Sequence, residues 1–135
     1  MRIAELPNHL PLIIATLFVA ILFIQSGLDK VFNYKGNLEW LTGHFAKSPL
    51  AKMVPVMLPA ITLMEVATGV LAVIGLVYFF VTGATFLIFC ASIIGAASLT
   101  ALFFGQRVAQ DYPGAAVLVP YFILLLILMY LSRAV

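Results

Sequence analysis

Glu65 stands in the middle of ITLMEVATGV, residues 61–70, where Thr62 and Thr68 are the only other side chains able to form a hydrogen bond. An unpaired charge taken out of water is too costly to persist. Such a carboxylate must therefore pair with a cation, take up a proton, or meet the polar part of a ligand. Two other short stretches hold groups able to join it. QSGLDKVF, residues 25–32, brings Gln25, Ser26, Asp29 and Lys30, and FFGQRVAQDY, residues 103–112, brings Gln106, Arg107, Gln110 and Asp111. Metal chemistry has little to build on: the metal ligands are none that the spacing groups, since His9 and His44 stand far apart with no carboxylate pair beside either. Cys90 is the single cysteine, so no intrachain disulfide or CxxC pair can form, and its small thiol suits an apolar interior. No GxGxxG, Walker loop, GxSxG or HExxH occurs, so nucleotide and hydrolase chemistry are not signalled.

The elements that must position these groups follow from composition. Of 135 residues, 64% are hydrophobic and 9% charged, against about 25% charged in soluble domains. A soluble chain this short leaves much of its surface in water and could not bury so much apolar area, so lipid must cover it. The net charge of +2 is spread without a basic run, which excludes nucleic acid as a partner. Charges then divide the chain into apolar runs, each to be compared with the roughly 20 residues that cross a hydrocarbon core. They predict an all-α integral membrane four-helix bundle in one domain, 1–135, with spans near 10–32, 55–77, 80–104 and 113–132. The first run is too long for a signal-peptide core and no A-x-A site follows it, so a retained helix is expected. Gly75 and Gly83 bracket the expected turn between the second and third spans. Between the first two spans, Leu38, Leu41 and Phe45 recur at helical spacing, predicting a short interfacial helix at 37–48 with Asn37 as its cap, Trp40 at headgroup depth and Pro49 beyond its end.

On the second span, Leu58, Ile61, Thr62, Glu65, Thr68, Gly69 and Ala72 share one helical face, while Leu63, Val66, Val70 and Val73 share the other. Glu65 is thus expected to face inward, with Thr62, Thr68 and Gly69 favouring close approach and hydrogen bonding between helices. Entry into the core near Pro59 would set it about 9 Å deep, and entry near Met53 about twice that. Up-and-down connection brings the end of the first span, the start of the second and the end of the third to one side, so Gln25, Lys30, Glu65, Arg107 and Asp111 can gather there as a ligand-binding or proton-handling cluster. Lys30, Lys35, Lys47, Lys52 and Arg107 outnumber Arg2 and Arg133, which makes that side cytoplasmic under the positive-inside rule. A polar mouth over an apolar bundle suits an amphiphilic ligand. The same groups could instead satisfy one another and only fix helix register, and Lys30, Arg107 and Asp111 could be ordinary charges at helix ends.

SGLDK at residues 26–30, EVATGVLAVIG at 65–75 and DYPGAAVLVPYF at 111–122 resemble the DoxX-like family of small membrane proteins. Its pattern, G-x-x-K closing the first helix and E-x-x-x-G-x-L-x-x-x-G in the second, is matched by Gly27, Lys30, Glu65, Gly69 and Gly75. The resemblance implies a compact multi-pass protein of a cell membrane, the inner membrane in a bacterium, with some relatives linked to respiratory or redox chemistry. One branch is similar to the membrane subunit of a thiosulfate:quinone oxidoreductase. On that footing the chain would be a subunit of a quinone-linked complex, holding no cofactor of its own and offering a quinone or lipid site to partner subunits. The alternative is a non-catalytic accessory or assembly subunit, holding a larger assembly together through its long amphipathic loop and small-residue helix faces such as Ala91, Gly95 and Ser98, with Gly27, Gly69, Gly75 and Gly95 as helix-packing positions. A transporter or channel lacks a continuous polar path, since Thr85, Cys90, Ser92 and Ser98 are the main polar groups inside the last two spans.

Overall fold

A computed structural model describes residues 5–133. Among them are five α-helices: α1 (Leu6–Phe32), α2 (Tyr34–His44), α3 (Val54–Thr82), α4 (Phe86–Val108) and α5 (Tyr112–Ser132), with a 3-10 turn, Ala51–Met53, leading into α3. No strand occurs among the described residues. The helices α1, α3, α4 and α5 are long and apolar enough to cross a membrane. Three of these four begin with proline in the first two positions, where its missing N–H would have had no helical partner anyway.

The boundary between α3 and α4 lies later than the sequence pattern suggests. Gly75 is not at a turn but buried inside α3, and the helix runs on through Tyr78–Phe80 to Thr82. Nothing in LVYFFVT breaks a helix. The break comes at Gly83, whose φ of +77° is a left-handed conformation open to glycine, and whose N–H bonds the Phe79 carbonyl. The start of α2 also shifts. Asn33 is its cap residue, and Asn37 lies within the first turn, its amide nitrogen donating to the Asn33 carbonyl at 2.8 Å. The helix ends at His44, well before Pro49.

Neighbours in the chain are neighbours in space. Helix α1 packs most extensively on α3, α3 on α4 and α4 on α5, and α5 returns to α1 over a smaller interface. The core includes Val19, Phe23, Phe79, Ile88, Leu99, Leu125 and Leu128, with alanines between them. Thr16, Thr62, Thr68 and Ser132 are buried, and each donates its hydroxyl to the carbonyl four residues back on its own helix. Thr62 and Thr68 therefore add no hydrogen bond between helices, contrary to the expectation from their inward face. Glu65 does face inward, and Leu63, Val70 and Val73 are exposed on the far side, but Val66, expected there too, is partly buried against Gly27 of α1.

The closest approach of α1 and α3 is made by a reciprocal pair of glycines. A Cβ on Gly27 would lie 2.8 Å from a Val66 methyl and 3.1 Å from the Val66 nitrogen, and one on Gly69 would lie 2.6 Å from Ile24 Cγ1 and 2.9 Å from the Ile24 nitrogen. Gly75 likewise meets Ile88 of α4, and Gly95 meets Leu125 and Thr68. Without a hydrophobic driving force between helices in lipid, such backbone approach supplies the packing attraction.

Gly69→Leu should therefore weaken the fold by about 1–3 kcal/mol or more, the usual cost of overpacking a close-packed interior. Gly43→Ala, at a site with nothing within 4 Å, should be neutral or stabilising by a few tenths. Denaturant unfolding in mixed micelles followed by circular dichroism compares the two.

Candidate functional site

The Gly27–Val66 and Gly69–Ile24 contacts lie just beyond Glu65 along the α1–α3 interface, and the close approach they allow brings it within reach of two α1 side chains one turn apart. Lys30 Nζ lies 3.0 Å from Glu65 Oε2. Ser26 Oγ donates to the same oxygen at 2.9 Å, and Lys30 Nζ donates to Ser26 Oγ at 3.0 Å. Glu65 is 2% exposed and Lys30 retains 18% of its side-chain surface. Because α3 begins at Val54, Glu65 lies about 16 Å along the axis from the helix start, at roughly 1.5 Å per residue. The carboxylate is the inner end of the cluster, and the amine is the end that reaches outward.

The other residues singled out from the sequence do not join it. Gln25 is exposed on a different face of α1. Arg107 is exposed, its guanidinium 4.4 Å from the centre of the Tyr112 ring. Asp111 caps α5, one oxygen accepting the Gly114 N–H at 3.0 Å, while the other lies 3.4 Å from His44 Nε2. Asp29 sits at the α1–α2 junction opposite Asn37, and Gln110 is exposed at φ +63° in the bend before α5. The polar mouth thus divides in two, with Glu65, Lys30 and Ser26 in one part and Asp111, Gln106 and His44 in the other.

His44 was legible only as a poor metal ligand, and it holds the second cluster together. Its Nε2 lies 2.9 Å from Gln106 Oε1, and Trp40, four residues earlier, stacks on its ring at 4.6 Å and 14°. The i, i+4 spacing of an aromatic and a histidine on a helix facing the 105–112 segment was the available signal. These contacts tie the end of α2 to the end of α4 and the start of α5. His9 lies at the other end of the bundle, edge-on to Phe79. Among the described residues no three His, Cys, Asp or Glu side chains gather as a metal site would require.

Beneath α2 lies a cavity of about 220 Å³. Leu41 and Phe45 roof it, Leu58 and Ile61 come from α3, Ala101, Leu102 and Gly105 from α4, and the polar contributions are Lys30, Asn37, Trp40 and Gln106. Glu65 itself is not part of the wall. The first cluster presents Lys30 to the cavity and the second presents Gln106. An apolar chamber with a few converging polar groups is the usual form of a small-molecule site, and its volume fits a single ring with substituents rather than a whole drug-sized ligand.

Compared with known proteins, the chain matches the family model described as DoxX over residues 12–105. The match takes in Ser26, Lys30, all of α2 and Glu65. No curated protein and no solved structure matches it.

Removing one partner of the buried pair should cost far more than removing both. Lys30→Met leaves the Glu65 carboxylate buried without a cation, and a loss of about 3 kcal/mol is expected. Adding Glu65→Leu should recover most of it, and a double-mutant cycle in micelle unfolding measures the coupling.

Proposed function

The chain belongs to the DoxX family, and from that premise we propose that it serves as the membrane subunit of a quinone-linked redox assembly, with the cavity beneath α2 receiving the quinone ring. The observation that carries this reading is the chamber itself: about 220 Å³, walled by Leu58, Ile61 and Leu102, edged by Trp40 and Phe45, and entered by the Lys30 amine. A quinone is a flat apolar ring with carbonyl oxygens at its edge and an isoprenoid tail. The ring fits between aromatic and aliphatic walls, a carbonyl oxygen accepts from an ammonium N–H, and the tail remains in lipid.

Within this reading each residue has a task. Glu65 and Ser26 hold the Lys30 amine in place and neutralise its charge, so that the empty chamber carries no unpaired cation. Trp40 offers a face for stacking. Helix α2 excludes water from above, fastened by His44 at its end and at its start by Asn37, whose side-chain amide donates to the Asp29 carbonyl of α1. A quinone bound there would accept electrons and protons, the electrons supplied by a partner subunit that carries the redox centre.

The mutual satisfaction of Glu65, Lys30 and Ser26 favours a second reading, in which the chain is an accessory subunit and the cluster only locks α1 to α3. Photoaffinity labelling with an azido-quinone separates the two. Under the quinone reading, label should fall on α2 and α4 peptides, be displaced by excess quinone and drop at least fivefold in Lys30→Met. Labelling indifferent to both treatments, together with a stoichiometric partner retained in mild detergent, would select the accessory role.

A further inference from the structure

Gln106 has its amide orientation set from outside the cavity. Asp111 is held by capping α5, with Oδ1 taking the Gly114 N–H, and its Oδ2 lies 3.4 Å from His44 Nε2. A carboxylate oxygen at that distance repels a ring lone pair and attracts an N–H, which favours the imidazole proton on Nε2. That same N–H points at Gln106 Oε1, 2.9 Å away. The reverse amide orientation would set two donors against each other, so the Gln106 carbonyl is committed to His44. Its NH2 group is left over, with no partner among the described residues. Trp40, stacked on His44, holds the imidazole plane and has an indole N–H that is also unpartnered among the described residues.

The donors at the cavity therefore come from separate elements. Lys30 spends N–H groups on Glu65 and Ser26 and has a third to offer. Gln106 contributes its NH2 from α4. Asn37, the remaining polar side chain of the wall, spends its amide nitrogen on the Asn33 and Asp29 carbonyls at the exposed α1–α2 junction, so its own side-chain acceptor lies at the rim.

We propose that Asp111, His44 and Gln106 form a positioning relay that keeps the Gln106 amide donating into the cavity, so that the site takes acceptor-only heads and prefers the oxidised quinone to the quinol. This rests on the quinone reading of the same cavity. Each carbonyl of the oxidised ring accepts from Lys30 or Gln106 and requires nothing more. Each hydroxyl of the quinol brings a proton that must also find an acceptor, and an unmet donor in an apolar chamber is what makes such sites discriminate strongly.

Equilibrium binding of a short-chain benzoquinone and its quinol, measured anaerobically on the full chain in nanodiscs, tests this. The wild-type protein is expected to bind the quinone at least tenfold more tightly. Gln106→Glu, which replaces the inward donor by an acceptor, should abolish or reverse that preference. His44→Phe keeps a ring against Trp40 but frees the Gln106 amide to turn, and should bring the ratio towards one while retaining binding; His44→Gln, which restores an N–H donor, should recover part of it. Circular dichroism and thermal unfolding serve as controls for folding. Equal affinity for the two forms in the wild type, or a preference unchanged in both Gln106→Glu and His44→Phe, would overturn the relay and leave the quinone reading standing. Failure of the wild type to bind either form would overturn both.

Discussion

A carboxylate inside an apolar helix has to be matched by something, and here the match is a single oxygen of Glu65 taken by both Lys30 and Ser26. The contact depends on how near two backbones can come. Gly27 and Gly69 remove the Cβ atoms that would hold α1 and α3 apart, and their placement within about a turn of Glu65 turns a packing feature into an electrostatic one. Lys30 then has its charge met from within and its free N–H directed outward, while α3 carries a charged residue among apolar helices without leaving it uncompensated. Buried pairs of this kind add little net stability over an apolar substitute, and their worth lies in fixing one register against its alternatives. The wall of the cavity inherits that register, since Lys30 reaches it only from this position on α1.

How much of this can be read from residues alone differs by element. The inward face of α3 follows from periodicity, since Thr62, Glu65, Thr68, Gly69 and Ala72 recur at helical spacing, and all of them are buried. Convergence on one end of the bundle follows from up-and-down connection. Which side chains meet there does not follow, because topology sets the end of the molecule but not the angle around each helix. Gln25 is adjacent to Ser26 in sequence and about 100° away around α1, so it is exposed while Ser26 bonds Glu65. Arg107 turns to the Tyr112 ring in the same way. Gly75 shows a different limit: a glycine reads as punctuation, yet here it admits the Ile88 backbone at 2.9 Å from its missing Cβ. His44 could be found only once α2 had been placed against the ends of α4 and α5.

Helix α2 is what turns a bundle end into a chamber. It is the least apolar helix and has no fully buried residue, so its position owes more to polar fastening than to core packing. Asn37 ties one end to the Asp29 carbonyl of α1 and His44 ties the other, with Phe45 buried just beyond. Elements held by few buried contacts occupy the low-stability end of a structure and are the ones able to open for a ligand. The DoxX family membership and this covered chamber together direct attention to what enters beneath α2.

Trp40 is the only tryptophan of the chain and stands in the cavity wall, so its fluorescence responds to a ligand in that chamber. Titrating the protein in nanodiscs with a short-chain quinone should give saturable quenching, and Gly105→Leu, which adds a side chain to the wall beside Phe45, should abolish the saturable part while leaving the fold intact. Quenching that rises linearly without saturation, and identically in the variant, would mean that quinone meets Trp40 only by collision from the bilayer and that the cavity is not its site.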